Sequence, residues 1–166
     1  MRSRVRTIAG VLLVVTAIIG GTAGVSFAGR KDQTVLRGDV MVGVSAPYTG
    51  AANAIRGVNG GGAPWVIADA EYKLRASGRI EVEVEGLVLT NTGVNPAATF
   101  KVTVSCLTTD ANGAAVTSNV STAPFPADAA GNAEVEAKLD LPSPCFAPII
   151  FVANGNSGSW FAATGV

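Results

Sequence analysis

Histidine is absent from all 166 residues, and this absence restricts the available chemistry more than any motif that is present. A Ser-His-Asp or Cys-His nucleophile cannot be assembled, and the usual nitrogen ligand for zinc is missing. Acid–base work near neutral pH would fall to carboxylates, and four of them recur at strand spacing: Asp69 and Glu71, then Glu83 and Glu85. Paired carboxylates serve two chemistries. One is glycoside hydrolysis, which needs one of the pair desolvated enough to act as a general acid. The other is calcium binding through hard oxygen ligands. On two paired strands these four side chains share one outward face, where water solvates them and a flat surface falls short of the six or more oxygens that calcium takes. The plainer reading is a solvated charged face, tempered by Lys73, Arg75 and Arg79. No catalytic residue is assigned and no cofactor is implied.

Two other groups of residues could contact a ligand. Gly57-Val58-Asn59-Gly60-Gly61-Gly62 could bring backbone amides close to an anion, because glycine permits close approach of the main chain. It has no Lys-Ser/Thr ending and leads into no helix, so it does not read as a P-loop. Its plainer reading is a loose turn ahead of Pro64-Trp65. Tyr48, Trp65, Tyr72, Trp160 and Phe161 could form a sugar-stacking platform, with Gly60, Gly61, Gly62, Trp65 and Trp160 as the ligand-binding candidates. The plainer reading of Trp65 and Trp160 is core packing. Asn119-Val120-Ser121 matches a glycosylation sequon.

The elements that position these groups read as strands. From Val40 onward, short runs alternate apolar and polar residues and are punctuated by Gly, Asn, Pro and Asp, the pattern of an antiparallel all-β domain. The clearest hairpin turns at Ala76-Ser77-Gly78. A three-residue loop sets Leu74 opposite Ile80, Tyr72 opposite Val82 and Ala70 opposite Val84, with Lys73 facing Glu81. A two-residue loop would mix the faces, so register selects the longer one. A second three-residue loop at Ala111-Asn112-Gly113 sets Thr108 opposite Val116 and Val104 opposite Val120. It directs Phe100, Val102 and Cys106 inward, and Lys101, Thr103 and Ser105 outward.

A third pair is expected between 133–141 and 146–153, with Pro142-Ser143-Pro144 marking a crossing between sheets. Ser159–Ala163 is expected as a short edge strand. The predicted strands are 40–46, 64–75, 79–90, 99–109, 115–122, 133–141, 146–153 and 158–163. Seven to eight strands with turns every 8–12 residues predict an antiparallel two-sheet sandwich, immunoglobulin-like in architecture, with a closed barrel as the alternative. No Trp lies between the two cysteines, so true immunoglobulin spacing is not met.

The N-terminus supplies an address. Arg2, Arg4 and Arg6 precede an apolar run from Ile8 to Ile19, and Ser26-Phe27-Ala28 has the small-x-small form of a signal-peptidase site. Residues 1–28 are expected to be a cleaved signal peptide, with a retained membrane anchor as the alternative. Residues 29–39 are expected to be a flexible N-terminal segment, and 40–166 a single β-sandwich domain.

Removing 28 of 166 residues leaves 138, enough for one core. Three of the 12 basic residues go with the leader, leaving nine against 12 acidic ones and a net charge of −3. That balance offers no footprint for nucleic acid. Cys106 and Cys145, exported together, have one possible intramolecular pairing and are expected to form a disulfide.

The segments Arg56-Gly-Val-Asn-Gly-Gly-Gly62, Pro64-Trp65, Val104-Ser-Cys-Leu107, Leu141-Pro-Ser-Pro-Cys-Phe-Ala-Pro148 and Ser159-Trp-Phe-Ala162 resemble a group of small, uncharacterised secreted proteins of bacteria. The resemblance implies an exported bacterial protein and transfers no activity, ligand or catalytic residue. The reading that follows is a secreted, extracellular, non-catalytic binding or structural module. Its expected partner is a cell-wall glycan or an extracellular protein, with no membrane span after signal cleavage. The alternatives are an enzyme inhibitor presenting the 52–62 or 123–132 loop, and a carboxylate-based glycosidase.

Overall fold

A computed structural model describes residues 33–165. The signal peptide expected over residues 1–28 lies outside the described residues. The strands, in chain order, are β1 (Thr34–Gly38), β2 (Val42–Gly43), β3 (Trp65–Val66), β4 (Asp69–Arg75), β5 (Arg79–Glu85), β6 (Val88–Leu89), β7 (Thr99–Thr109), β8 (Ala115–Ser121), β9 (Phe125–Pro126), β10 (Ala133–Lys138), β11 (Phe146–Asn154) and β12 (Trp160–Ala163). No helix forms among the described residues.

Two antiparallel sheets make the sandwich. The first has the order β1-β4-β5-β10, and the second β2-β12-β11-β7-β8 with β9 added to the start of β7. A two-stranded ribbon of β3 and β6 completes the fold. The arrangement is an open sandwich and not a barrel.

Local chemistry sets the registers. In the β4–β5 hairpin, Leu74 lies opposite Ile80, Tyr72 opposite Val82 and Ala70 opposite Val84, as the alternation requires. The Gly78 amide donates to the Arg75 carbonyl, and Gly78 has φ 84°, which glycine adopts at little steric cost. A Cβ there would also collide with the Leu139 carbonyl oxygen. In the β7–β8 hairpin, Thr108 lies opposite Val116 and Val104 opposite Val120. The Asp110 carboxylate accepts the amides of Asn112 and Ala114 and so closes that turn.

The inward faces meet in one core. Ala70, Leu74, Ile80, Val82, Val84 and Val135 come from the first sheet, and Phe100, Val102, Val104, Cys106, Ile150 and Val152 from the second. Each fully buried aliphatic or Phe side chain contributes roughly 1.5–3 kcal/mol. Cys106 and Cys145 form the expected disulfide, with Cα atoms 4.9 Å apart, tying the middle of β7 to the chain just ahead of β11.

Several expectations are corrected. The 29–39 segment contributes a strand, because β1 pairs with β4 and buries part of Leu36 opposite Leu74. Residues 133–141 and 146–153 do not pair with each other. β10 joins β5 in the first sheet and β11 joins β7 in the second, so the Pro142–Pro144 segment crosses between sheets. β12 is not an edge strand: it lies between β2 and β11, and all four of its residues are buried. The expected 64–75 and 79–90 strands each divide in two, because the chain jogs at Ile67-Ala68 and at Gly86-Leu87 to give the β3–β6 ribbon.

Thr103 and Ser105 do not face solvent. They lie buried on the far face of the second sheet, and residues 45–62 cross from Trp160 on β12 to Asn119 on β8, with Arg56 bonded to the Ser105 carbonyl. This strap leaves β2 through Val44, and its return leg runs beside β12, where the Trp160 amide donates to the Asn59 carbonyl and the Gly61 amide to the Trp160 carbonyl. At its far end Asn119 on β8 donates its side-chain amide to the Arg56 carbonyl.

Candidate functional site

The outer face of the four-stranded sheet collects most of the ionisable side chains of the fold. Strand register aligns them in rows. Nearest the β4–β5 turn lie Arg75, Arg79 and Lys138, with Lys138 directly opposite Arg79. The next row runs Arg37, Lys73, Glu81, Glu136 across β1, β4, β5 and β10. The third is Glu71, Glu83, Glu134, and the last is Asp69 opposite Glu85. The face therefore grades from cationic to anionic along the strands. Like charges directly opposite are destabilising, so the anionic rows stand at a cost that a cationic or hydrogen-bonding partner would relieve.

The twist of the sheet makes this face a shallow trough of about 810 Å³, lined by Arg37, Glu71, Lys73, Glu81, Glu83, Glu134 and Glu136 among others. A small recess of about 140 Å³ adjoins it between Asp69, Glu71, Glu83 and Glu85. Glu71, Glu83, Glu85, Glu134 and Asp69 are exposed, so water reaches their carboxylates. The four acidic candidates are thus adjacent in the predicted register. Among the described residues no group of three or more Asp, Glu or Cys side chains is placed to hold a metal ion.

A third hollow of about 520 Å³ runs past Glu83, Glu85 and Glu134 to the turn at Asp128–Asn132. There the Asp128 carboxylate accepts the backbone amide of Asn132 at 2.9 Å and its side-chain amide at 3.0 Å. The backbone bond from Asn132 is the main cause that holds the Asp128 carboxyl below its ordinary value. This turn is anchored inward, since Asn95 is buried and donates to the carbonyl of Asp128.

The glycine and tryptophan candidates lie elsewhere, on and beside the second sheet. Trp65 is buried and stacks on Phe161 with centroids 3.7 Å apart, and Phe161 meets the edge of Phe100. Trp160 is buried on the opposite face against Phe151. Neither indole is part of an exposed platform. Tyr72 is half-buried against the core, while Tyr48 is exposed. The Gly60 amide donates to the Gly50 carbonyl, and a Cβ on Gly60 would strike the Tyr48 carbonyl oxygen. A Cβ on Gly61 would sit 3.0 Å from the Phe161 ring. These two glycines let the strap lie flat, whereas Gly62 is exposed with open space around it.

Two features were not anticipated. Arg37 and the β10 carboxylates Glu134 and Glu136 belong to the charged face. The signal was available: Glu-Val-Glu-Ala-Lys over 134–138 repeats the alternation of Arg-Ile-Glu-Val-Glu over 79–83. The second is Arg56. The β7–β11 ladder breaks register between Phe146 and Ile149, and Arg56 Nη1 donates to both the Ser105 carbonyl at 3.1 Å and the Ala147 carbonyl at 2.7 Å. Beneath the strap the Ser105 hydroxyl and the Trp160 ring nitrogen are buried without hydrogen bonds, an arrangement that costs free energy.

Fold and site together define a disulfide-closed, two-sheet β-sandwich with one open charged face. No protein-family model, no curated protein and no solved structure matches the chain.

Proposed function

We propose that this chain is an exported, non-catalytic binding or structural module that engages a partner through the outer face of its four-stranded sheet. The observation that carries the reading is the trough: four strands present graded rows of charge on a shallow, solvent-open surface. Such a surface suits many weak polar contacts, because solvated carboxylates accept hydrogen bonds from hydroxyl and amine groups. It suits acid catalysis poorly, since an exposed carboxylate lacks the desolvation that raises a general acid's pKa.

The leader-like N-terminus and the disulfide both favour an oxidising compartment outside the cytoplasm. A cell-wall glycan or an extracellular protein is the partner that compartment offers. Among the described residues no helix is long and apolar enough to cross a membrane.

The test is an affinity capture from insoluble wall material and from the secreted fraction of the producing cells. Retention on wall material that soluble glycan competes away, and that Glu83→Gln with Glu134→Gln abolishes, is the expected result. Retention unaffected by these substitutions would move the site off this face. Turnover of a polysaccharide, lost on Glu83→Gln or Glu85→Gln, would overturn the non-catalytic reading.

A second reading, an enzyme inhibitor, draws on the strap. Asn53 Nδ2 donates to the Pro47 carbonyl, and the Gly50 and Gly61 backbones are bonded, so the exposed tip at Ala51–Ala54 is braced. A one-to-one complex with a protease that spares the protein would favour it.

A further inference from the structure

The two sheets of the sandwich end in four lateral edges, and three of them bear features that discourage pairing with another chain. β2 is two residues long, and the chain on its far side is close, with the Trp65 amide donating to the Val44 carbonyl. β1 breaks register between Thr34 and Leu36 and carries Arg37. β10 carries Glu134, Glu136 and Lys138. Short length, irregularity and charge are the usual means of blunting a strand edge. β8 has none of them. Its seven residues, Ala115–Ser121, include no charge and no proline, and its register against β7 is uninterrupted.

The hydrogen bonds of this hairpin fix which β8 groups remain free. The Asp110 amide donates to the Ala114 carbonyl, and the Thr122 amide to the Val102 carbonyl. In an antiparallel ladder such pairs recur at every second residue. The even-numbered residues of β8 therefore point their backbone groups at β7. Ala115, Thr117, Asn119 and Ser121 point theirs away from it, and all four residues are exposed.

We propose that β8 is a self-recognition edge, through which two copies of this chain join antiparallel about Ser118 into one continuous sheet. In that register Thr117 meets Asn119 of the partner subunit and Ala115 meets Ser121 of the partner subunit, so every outward residue on both strands is paired. A shift by one outward residue in either direction leaves one of the four unpaired on each strand. The side chains agree with the register. Val116 comes opposite Val120 of the partner subunit on the inward face, and Ser118 lies on the two-fold axis.

Charge also favours the join. β8 brings no ionised group to it, whereas the centred registers of β10 with itself set Glu136 against a glutamate of the other copy.

The experiment uses protein expressed from the full-length chain. Sedimentation across a wide concentration range is combined with residue-resolved amide hydrogen exchange. The expected result is a mass that doubles with concentration. Slowed exchange should accompany it at Ala115, Thr117, Asn119 and Ser121, with no change at the even-numbered amides already bonded to β7. Thr117→Pro removes an outward donor without breaking a β7–β8 bond, so it should leave the melting temperature near that of the parent monomer and abolish the doubling. If that variant does not fold, Thr117→Lys places an ammonium at the joint and should have the same effect on the mass. Three results would overturn the proposal: a monomer at every concentration, a dimer in which the odd-numbered β8 amides stay unprotected, or a dimer that survives in the folded variant. Protection of those amides in a monomer by an added extended peptide would mark β8 as a peptide receptor and would equally refute self-pairing.

Discussion

Replacing Arg56 with Met tests how far this side chain fastens the strap beyond the bonds made by Asn119, Trp160 and Gly61. Met keeps much of the length and apolar stem of arginine and removes the donors. Two carbonyls then lose the guanidinium: that of Ser105, which pairs with Ile149 in the β7–β11 ladder, and that of Ala147, which the irregularity between Phe146 and Ile149 leaves outside it. They are not equivalent. Ser105 is fully buried, so water cannot take the place of the guanidinium at its carbonyl, and a hydrogen bond to a charged donor of this kind is worth about 1.5–3 kcal/mol. Ala147 is exposed and its carbonyl rehydrates, so its bond adds less, about 0.5–1 kcal/mol. Arg56→Met should therefore destabilise by about 2–4 kcal/mol in urea unfolding, with an unchanged m value. Arg56→Lys supplies charge but not the guanidinium fork, and should fall between the two. Hydrogen exchange should quicken at Gly61 and Trp160, whose amides bind the strap to β12, before it quickens in β4 or β5. A loss below about 0.5 kcal/mol, the usual range for surface substitutions, would refute the claim that Arg56 fastens the strap.

Four other outcomes are expected. Reducing the Cys106–Cys145 bond frees a loop with a sequence separation of 39, which the chain-entropy model values at about 4 kcal/mol, so the reduced protein should melt well below the oxidised one. Equal melting temperatures would show that the bond adds nothing to stability. Cys106→Ala should cost more than Cys145→Ala, because Cys106 is fully buried and its loss also opens space in the core; equal losses would argue against that difference. Gly60→Ala should destabilise by roughly 1–3 kcal/mol because its Cβ meets backbone, whereas Gly62→Ala should be neutral; equal effects in thermal melts would return Gly60 to the ligand candidates. The Asp128 carboxyl is lowered from 3.8 in the folded chain, so its contribution is present above that value and fades as pH falls through the folded pKa. Asp128→Asn should then weaken the protein at neutral pH and converge with the parent in strong acid, and parallel pH profiles would contradict this.

The hairpin registers were legible because alternation is a local signal. Leu74 and Ile80 can share a face only if the loop holds three residues, and Cys106 follows Phe100, Val102 and Val104 by parity alone. Parity also marked which residues share the far face of the second sheet, but not what covers that face. Thr103 and Ser105 are polar by type and stand on the face opposite the core, so solvent was the natural expectation. Both are buried instead, with Thr103 bonded to Ser121 and the Ser105 carbonyl to Arg56 of the 45–62 strap, a segment with no periodicity of its own. The partner of β10 was hidden for a related reason. Its pattern of inward Val135 and outward Glu134 and Glu136 fits any antiparallel neighbour, and only three-dimensional assembly selects β5 over β11. The part of the site carried by the β4–β5 hairpin, from Asp69 to Glu85, was therefore readable, and the part contributed by β1 and β10 was not.

The two sheets differ in how many of their faces remain for a partner, and the glycines explain why. The second sheet is covered on one side by the core and on the other by the strap. That covering depends on Gly60 and Gly61, where a Cβ would strike the Tyr48 carbonyl oxygen or press on the Phe161 ring. The residues that look most like a ligand cradle in sequence are thus the ones that close a surface. Trp65 and Trp160 serve the same end, one on each face of the covered sheet. Among the described residues the first sheet has no such cover, and its outer side chains are the charged ones. A protein that needed only stability would gain nothing from setting Glu71, Glu83 and Glu134 abreast, since each neighbour disfavours the next. A row of like charges kept against that cost, on a sheet face that the described residues leave open, is where recognition by a partner would offset it.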